Sequence, residues 1–468
     1  MRKNVSKSKL SLVTALIAAL LVICMLASGC GLTGSGAESS FVPFTSAPEE
    51  SSEVLTDAPD ESTSEITAET TEGDITSGTL PQTETDPAPD TTEEPEPITE
   101  SVVSFAACGD NILYRPAIWE AADRAVEGGR KYNFRPIYKN VEDIIAAADI
   151  SFINQETVIA GEEYGYSGYP AFNSPQDIAD DLVDIGFDIV SLANNHILDM
   201  REAGLLNTLN YWRTLPVLTV GAYIDEADAA DLRIIERNGV KIAVLAYTYS
   251  ANRRTLSADS PLRISFYKDA DPASPTYGMI YEDKLRTEVA AAREVADVVI
   301  VSMHWGYEDT QKVNDEQKRL AQLLCDAGAD IILGQHPHVL QSIEYLTSTD
   351  GSHSTFCAYS LGNFVGMQGY DYNALGGILT FDIRVNSQGV SVDNVLFTPT
   401  VSYFNESFRD NEIYLLSDFT AELCSSHCVV KRGWDGTFGG VMTLSSLRYY
   451  LNNAISDEYL PEAFRRGG

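Results

Sequence analysis

Ile189-Val190-Ser191-Leu192-Ala193-Asn194-Asn195-His196 decides how this chain reads, because an apolar, β-prone run stops abruptly on two amides and an imidazole. Ile189 to Leu192 suits a buried strand. The Asn-Asn-His that follows places an amide oxygen suited to metal ligation and an imidazole suited to proton donation on one loop. Asp199 lies three residues further on. A hydrogen-bonded turn explains the same residues without chemistry, so the weight of the reading rests on what surrounds it.

Outward from that segment, the pattern recurs. Strands are expected at Val102 to Ala107, Ile150 to Ile153, Lys241 to Tyr247, Val298 to Met303, Ile331 to Leu333 and Phe356 to Ser360. Helical periodicity is expected between them, near Ile137 to Ala148, Asp177 to Ile185, Leu205 to Arg213, Glu282 to Ala296 and Gln317 to Ala327. Alternation of this kind indicates α/β architecture. Gly377 to Val385 and Val390 to Val401 read as strands with no clear helix between them, so two packed sheets flanked by helices are expected, closed by an antiparallel portion.

Metal-ligand residue types follow five of these strands: Asp110, Glu156, Asn195 with His196, His304, and His336 with His338. In open α/β sheets the carboxyl edge of the strands is where ligands bind. Asp110 and Glu156 read singly as either ligands or caps and turns, but together two carboxylates at adjacent strand ends suit a divalent cation. Gly109 is expected to permit a tight turn at the end of the first strand. Four of the six histidines fall in these motifs, and neutral imidazoles bind zinc, iron and related metals. His353 and His427 read as ordinary surface or packing residues. Arg115 suits an anionic group or a surface salt bridge, and Glu308 suits either support of His304 or exposure.

The ends of the chain set a compartment. Arg2, Lys3, Lys7 and Lys9 precede an uncharged run from Leu10 to Gly29, which reads as a secretory signal. It ends in Leu26-Ala27-Ser28-Gly29-Cys30, which resembles a bacterial lipobox and implies cleavage before Cys30 and acylation of its thiol; an uncleaved membrane anchor is the alternative. Either way the rest is expected outside the cytoplasm, tethered to the membrane. Residues 31–100 hold 18 acidic residues and no Lys or Arg, and read as a disordered, self-repelling stalk. The remaining body has 28 basic against 50 acidic residues, a net charge of −22. Such a body argues against nucleic acid as a partner and against a nuclease, although a metal ion can reverse the local potential for a small phosphorylated substrate. Cys108, Cys325 and Cys357 read as core residues; Cys424 and Cys428 suit either a disulfide or one helix face.

These motifs carry a resemblance. Gly109-Asp110, Asn154-Gln155-Glu156, Asn194-Asn195-His196 with Asp199, His304-Trp305-Gly306-Tyr307-Glu308, Gly334-Gln335-His336-Pro337-His338 and Ser360-Leu361-Gly362-Asn363-Phe364 resemble the CapA family of capsule-synthesis proteins, within the calcineurin-like metallophosphoesterases. The resemblance covers residues 101–400 and leaves 401–468 as a C-terminal extension packed on the domain. It implies a four-layer α/β/β/α sandwich and an association with poly-γ-glutamate or other capsule production. It also implies one or two divalent metal ions, with Mn, Zn or Fe suitable. Asp110 would ligate the first metal together with His338, Glu156 would bridge, and Asn195, His304 and His336 would hold the second. His196 would donate the proton, with Asp199 as its companion in catalysis. The superfamily's opening Asp-x-His reads Asp110-Asn111-Ile112 here, so the first metal lacks a histidine. Two functions follow: a metal-dependent hydrolase acting on an anionic surface polymer or a phosphorylated small molecule, or a non-catalytic accessory protein that binds such a polymer or the capsule synthesis machinery.

Overall fold

Apolar side chains alternate between two faces along the central strands, and that alternation builds the molecule. The computed structural model describes residues 100–466, apart from residue 128 and residues 433–441. The expected leader, Cys30 and all but the last residue of the acidic segment lie outside the described residues.

Eight strands form the first sheet: β1 (Ser101–Asn111), β2 (Ile150–Gln155), β3 (Ile189–Ser191), β4 (Leu218–Val220), β13 (Asn363–Val365), β14 (Leu375–Asn386), β15 (Gly389–Tyr403) and β16 (Glu412–Leu415). Their order is β16-β15-β14-β1-β2-β3-β4, with β13 paired to the end of β1. β1 to β4 run parallel, whereas β14, β15 and β16 add antiparallel. The second sheet holds β6 (Arg233–Arg237), β7 (Val240–Thr248), β9 (Val298–His304), β10 (Ile331–Gln335), β11 (Ile343–Thr347) and β12 (Ser354–Ala358), in the order β11-β12-β10-β9-β7-β6. Here β7, β9, β10 and β12 are parallel. A two-stranded ribbon pairs β5 (Ala222–Tyr223) with β8 (Arg263–Ile264).

Side-chain alternation of period two divides each sheet's residues between two cores. Phe105 and Ala107 of β1 pack with Ile242, Val244, Ile300 and Leu333 of the second sheet, forming the seam between sheets. Their neighbours Ala106 and Cys108 face Ile145, Ile178, Leu182 and Leu209 of the helices outside the first sheet. Ala243, Leu245 and Val299 of the second sheet face Leu285, Val289, Leu320 and Leu324 outside it. Four layers in the order α/β/β/α result, the fold class expected from the motifs.

Local differences have local causes. The helix expected over Ile137 to Ala148 is two short pieces, Arg135–Tyr138 and Glu142–Ala146, with Ile137, Tyr138 and Ile145 on them and Val141 between them still buried. The apolar spacing survives the break, so periodicity alone reads one helix. Cys424 and Cys428 lie on helices Ala421–Ser426 and Cys428–Arg432, which are separate, and both side chains are buried. β15 crosses residue 400, and Tyr403, Leu416, Leu447 and Leu451 join the core between the sheets. Among the described residues no helix is long and apolar enough to cross a membrane.

Candidate metal centre

The parallel strands of both sheets end on the same side, and their last residues supply the site. Asp110 is within β1, beside a register shift, while Glu156, Asn195 and His196 follow β2 and β3. His304 closes β9, and His336 and His338 follow β10. All seven are buried, drawn from five strand ends in two sheets.

Gly109 acts differently from expectation. It lies inside β1 rather than in a turn, and a Cβ there would sit 1.9 Å from the Gly362 carbonyl oxygen. The same carbonyl accepts from the Asp110 amide at 3.0 Å. The Ser360 to Phe364 segment thus holds Asp110 through a close approach that only glycine allows.

Asn154 fastens the two carboxylates, donating from Nδ2 to Asp110 Oδ1 at 2.7 Å and to Glu156 Oε2 at 3.4 Å. Asp110 Oδ2 accepts the His336 backbone amide at 3.2 Å and lies 3.0 Å from His338 Nδ1. His338 Nε2 is 3.7 Å and His304 Nε2 3.8 Å from Glu156 Oε1. His304 Nε2 is also 3.0 Å from Asn195 Oδ1. Two trios suited to a cation emerge, Glu156 with His336 and His338, and Asp110 with Glu156 and His304, their ligand atoms within 4.8 Å of one another. Glu156 belongs to both, whereas the histidines are shared out differently from the division implied by resemblance.

The donor set fits a divalent ion. Among the described residues, Glu156 Oε1, Asn154 Oδ1, His304 Nδ1 and His336 Nδ1 are buried without a hydrogen-bond partner, an arrangement that costs free energy unless something polar or charged meets them. His336 and His338 hold φ of 94° and 56°, left-handed backbone that non-glycine residues adopt at a cost and that clusters at functional sites. Burial, reinforced by neighbouring imidazoles, pushes the pKa of His304 and His336 well below the usual value, keeping them in the neutral form that ligates metals. Burial and the Asp110 charge raise Glu156 despite His338 beside it. For His338 burial is outweighed by Glu156 and Asp110, which raise it to about 10. The pair of Glu156 and His338 therefore retains a proton that a cation would displace.

His196 stands beside this cluster. Its Nδ1 lies 2.7 Å from Asp199 Oδ2, which also accepts the Phe172 amide at 2.8 Å, and the Phe172 ring meets the imidazole edge-on at 4.8 Å. Arg254 pairs with the other Asp199 oxygen. Asn252, Arg254 and Tyr249, whose ring packs 4.7 Å from His336, went unnoticed in the sequence. All lie just past β7, so polar residues following a strand were the signal there too. Arg115 opens the helix Arg115–Asp123 as an exposed residue, with no ion pair among the described residues. Among the described residues Glu308 makes no hydrogen bond to His304, whose Nδ1 has no partner there. His353 is partly exposed and His427 fully buried, both away from the cluster in their contacts.

Residues 104–368 match the family described as bacterial capsule synthesis protein PGA_cap. The chain is 32% identical over 218 residues to the PGA biosynthesis protein CapA of Bacillus subtilis (strain 168), covering 44% of this chain and 50% of that one. It is 31% identical over 209 residues to the capsule biosynthesis protein CapA of Bacillus anthracis, covering 44% and 46%. The match thus spans about half the length of each relative. Among solved structures, a putative 5'-nucleotidase from Staphylococcus aureus in complex with alpha-ketoglutarate aligns at a TM-score of 0.39 with 13% identity, over 64% of this chain and 54% of that one.

Proposed function

From the premise that this chain belongs to the bacterial capsule synthesis protein family PGA_cap, we propose that it is a metal-dependent hydrolase of capsule or poly-γ-glutamate production. Its substrate is an anionic surface polymer or a phosphorylated small molecule. The observation that carries this reading is the buried convergence of Asp110, Glu156, Asn195, His304, His336 and His338 with ligand-type atoms left unpaired. Those residues would hold one or two ions such as Mn, Zn or Fe. A divalent ion there supplies Lewis acidity, activating water and offsetting negative charge that develops on a phosphoryl or acyl oxygen.

The chain's own part is proton handling. Asp199 accepts from Nδ1 of His196, fixing the ring and leaving Nε2 to hold a proton for the leaving group. Phe172 keeps the ring from turning. Metal analysis of the purified protein, with a panel of phosphoesters and polymers, tests the reading. His336→Ala should lower metal affinity on the order of 10 to 100-fold, whereas His196→Ala should keep the metal and lose turnover by about 100 to 10,000-fold. Both variants retaining full metal and full turnover would end the hydrolase reading.

Ile112, standing where the superfamily carries a histidine, favours a second reading, an accessory protein that binds polymer or synthesis machinery without turnover. Bound metal and retained polymer with no hydrolysis in wild type would select it. The compartment rests on the sequence: an extracytoplasmic domain anchored in the cell membrane through acylated Cys30. Labelling with a fatty-acid probe should fail in Cys30→Ala, and undiminished label removes the anchor.

A further inference from the structure

The segment after β7 crosses from one sheet to the other. β7 belongs to the six-stranded sheet, whereas His196 and Asp199 follow β3 of the eight-stranded one. Asn252 Oδ1 accepts from Asn195 Nδ2 at 3.3 Å, and its Nδ2 lies 3.5 Å from His196 Nδ1. Arg254 pairs with Asp199. Residues 250–254 therefore grip the proton-handling motif from across the sandwich.

Arg253 sits between those two contacts. Asn252 and Arg253 hold φ of 52° and 61°, so two successive non-glycine residues occupy left-handed backbone. Arg253 is exposed and makes no hydrogen bond or ion pair among the described residues. In a body of net charge −22, carboxylates are plentiful, and Arg130, Arg233, Arg293 and Arg319 each pair with at least one. An exposed guanidinium without a partner among the described residues, on a residue whose chain neighbours touch Asn195, His196 and Asp199, presents a planar fork matched to carboxylate and phosphate.

We propose that residues 250–254 form the anion-recognition element of this site, in which Arg253 binds a carboxylate or phosphate group of the substrate and Arg254 is a positioning residue for Asp199 and His196. The role of Arg254 rests on the hydrolase reading; anion binding by Arg253 does not. It gives the substrate a chemical class: a molecule carrying a negative group beside the bond that is acted on.

Binding of inorganic phosphate and of a short glutamate oligomer to the full chain, measured by calorimetry, tests this, and the probe that depends on Arg253 identifies the source of the anion. Arg253→Gln should weaken that probe roughly 10 to 100-fold, since hydrogen bonds to charged groups are the strong ones, with metal content unchanged. Arg253→Lys should recover only part, because lysine lacks the fork. Arg384→Gln, at the other end of β14 beside Val102, should leave binding unchanged. Arg254→Gln should lower kcat with KM and probe binding intact, and Arg254→Lys should restore some of it. Wild type that binds neither probe, or Arg253→Gln that binds both as wild type does, overturns the recognition element. Turnover by wild type with Arg253→Gln unaffected spares the hydrolase while removing the element. Arg253-dependent binding with no turnover of any substrate does the reverse.

Discussion

Ile112, two residues past Asp110, is buried with Tyr114, Phe172, Met367 and Phe404. Asn111 is turned into the core, donating to Gln155 at 2.7 Å and accepting from the Tyr138 hydroxyl at 2.8 Å. Neither residue belongs to the candidate ligand groups. Asp110 is already occupied on both oxygens, by Asn154 on one and by His336 and His338 on the other. A second ion at Asp110 would have to break those bonds, with Ile112 offering no ligand in their place, and loss of ligand support costs on the order of 10 to 100-fold in affinity. The expected stoichiometry is therefore one tightly held ion per chain, measured by elemental analysis after dialysis against excess metal. Two ions retained through dialysis would contradict it.

At the scale of elements, apolar runs made the central strands legible, but their ends were not. β1 continues through Asp110 and Asn111, β2 through Gln155, and β10 through Gln335, each polar yet still in the ladder. Pairing with a neighbouring strand keeps such residues extended after hydropathy has stopped signalling. The short edge strand β16 and the helix Leu444–Ala454 passed unread for a related reason, since four residues such as Glu412-Ile413-Tyr414-Leu415 become a strand only through β15 beside them. Gly109 was visible as a glycine, while its reason, the Gly362 carbonyl some 250 positions away, depends on tertiary contact. The candidate cluster was legible because Asn195, His196, His304, His336 and His338 close or follow apolar strands. The same rule at Tyr247-Thr248-Tyr249 would have led to Asn252 and Arg254, which stand a few residues further out on a loop.

Across the whole molecule, residues beyond 400 close the sandwich, and His427 shows what that closure implies for stability. Its ring is fully buried against Tyr403 and Phe404, Nε2 donates to the Ser402 carbonyl at 3.0 Å, and Nδ1 accepts the Val429 amide at 3.2 Å. Both nitrogens are satisfied in the neutral form, so a second proton would break the bond at Nδ1. Burial, only partly opposed by the Ser402 bond, lowers the pKa from 6.5 to about 4. Between these values the unfolded chain binds more protons than the folded one, so stability is full above pH 6.5 and falls as pH drops toward 4. The shift corresponds to about 3 kcal/mol across that window. Urea unfolding of wild type and His427→Gln at pH 7 and pH 4 isolates the effect, because every other titrating group is common to both. The stability advantage of wild type should shrink by about that amount on acidification. An advantage of equal size at both pH values would show that His427 is not held neutral by its burial.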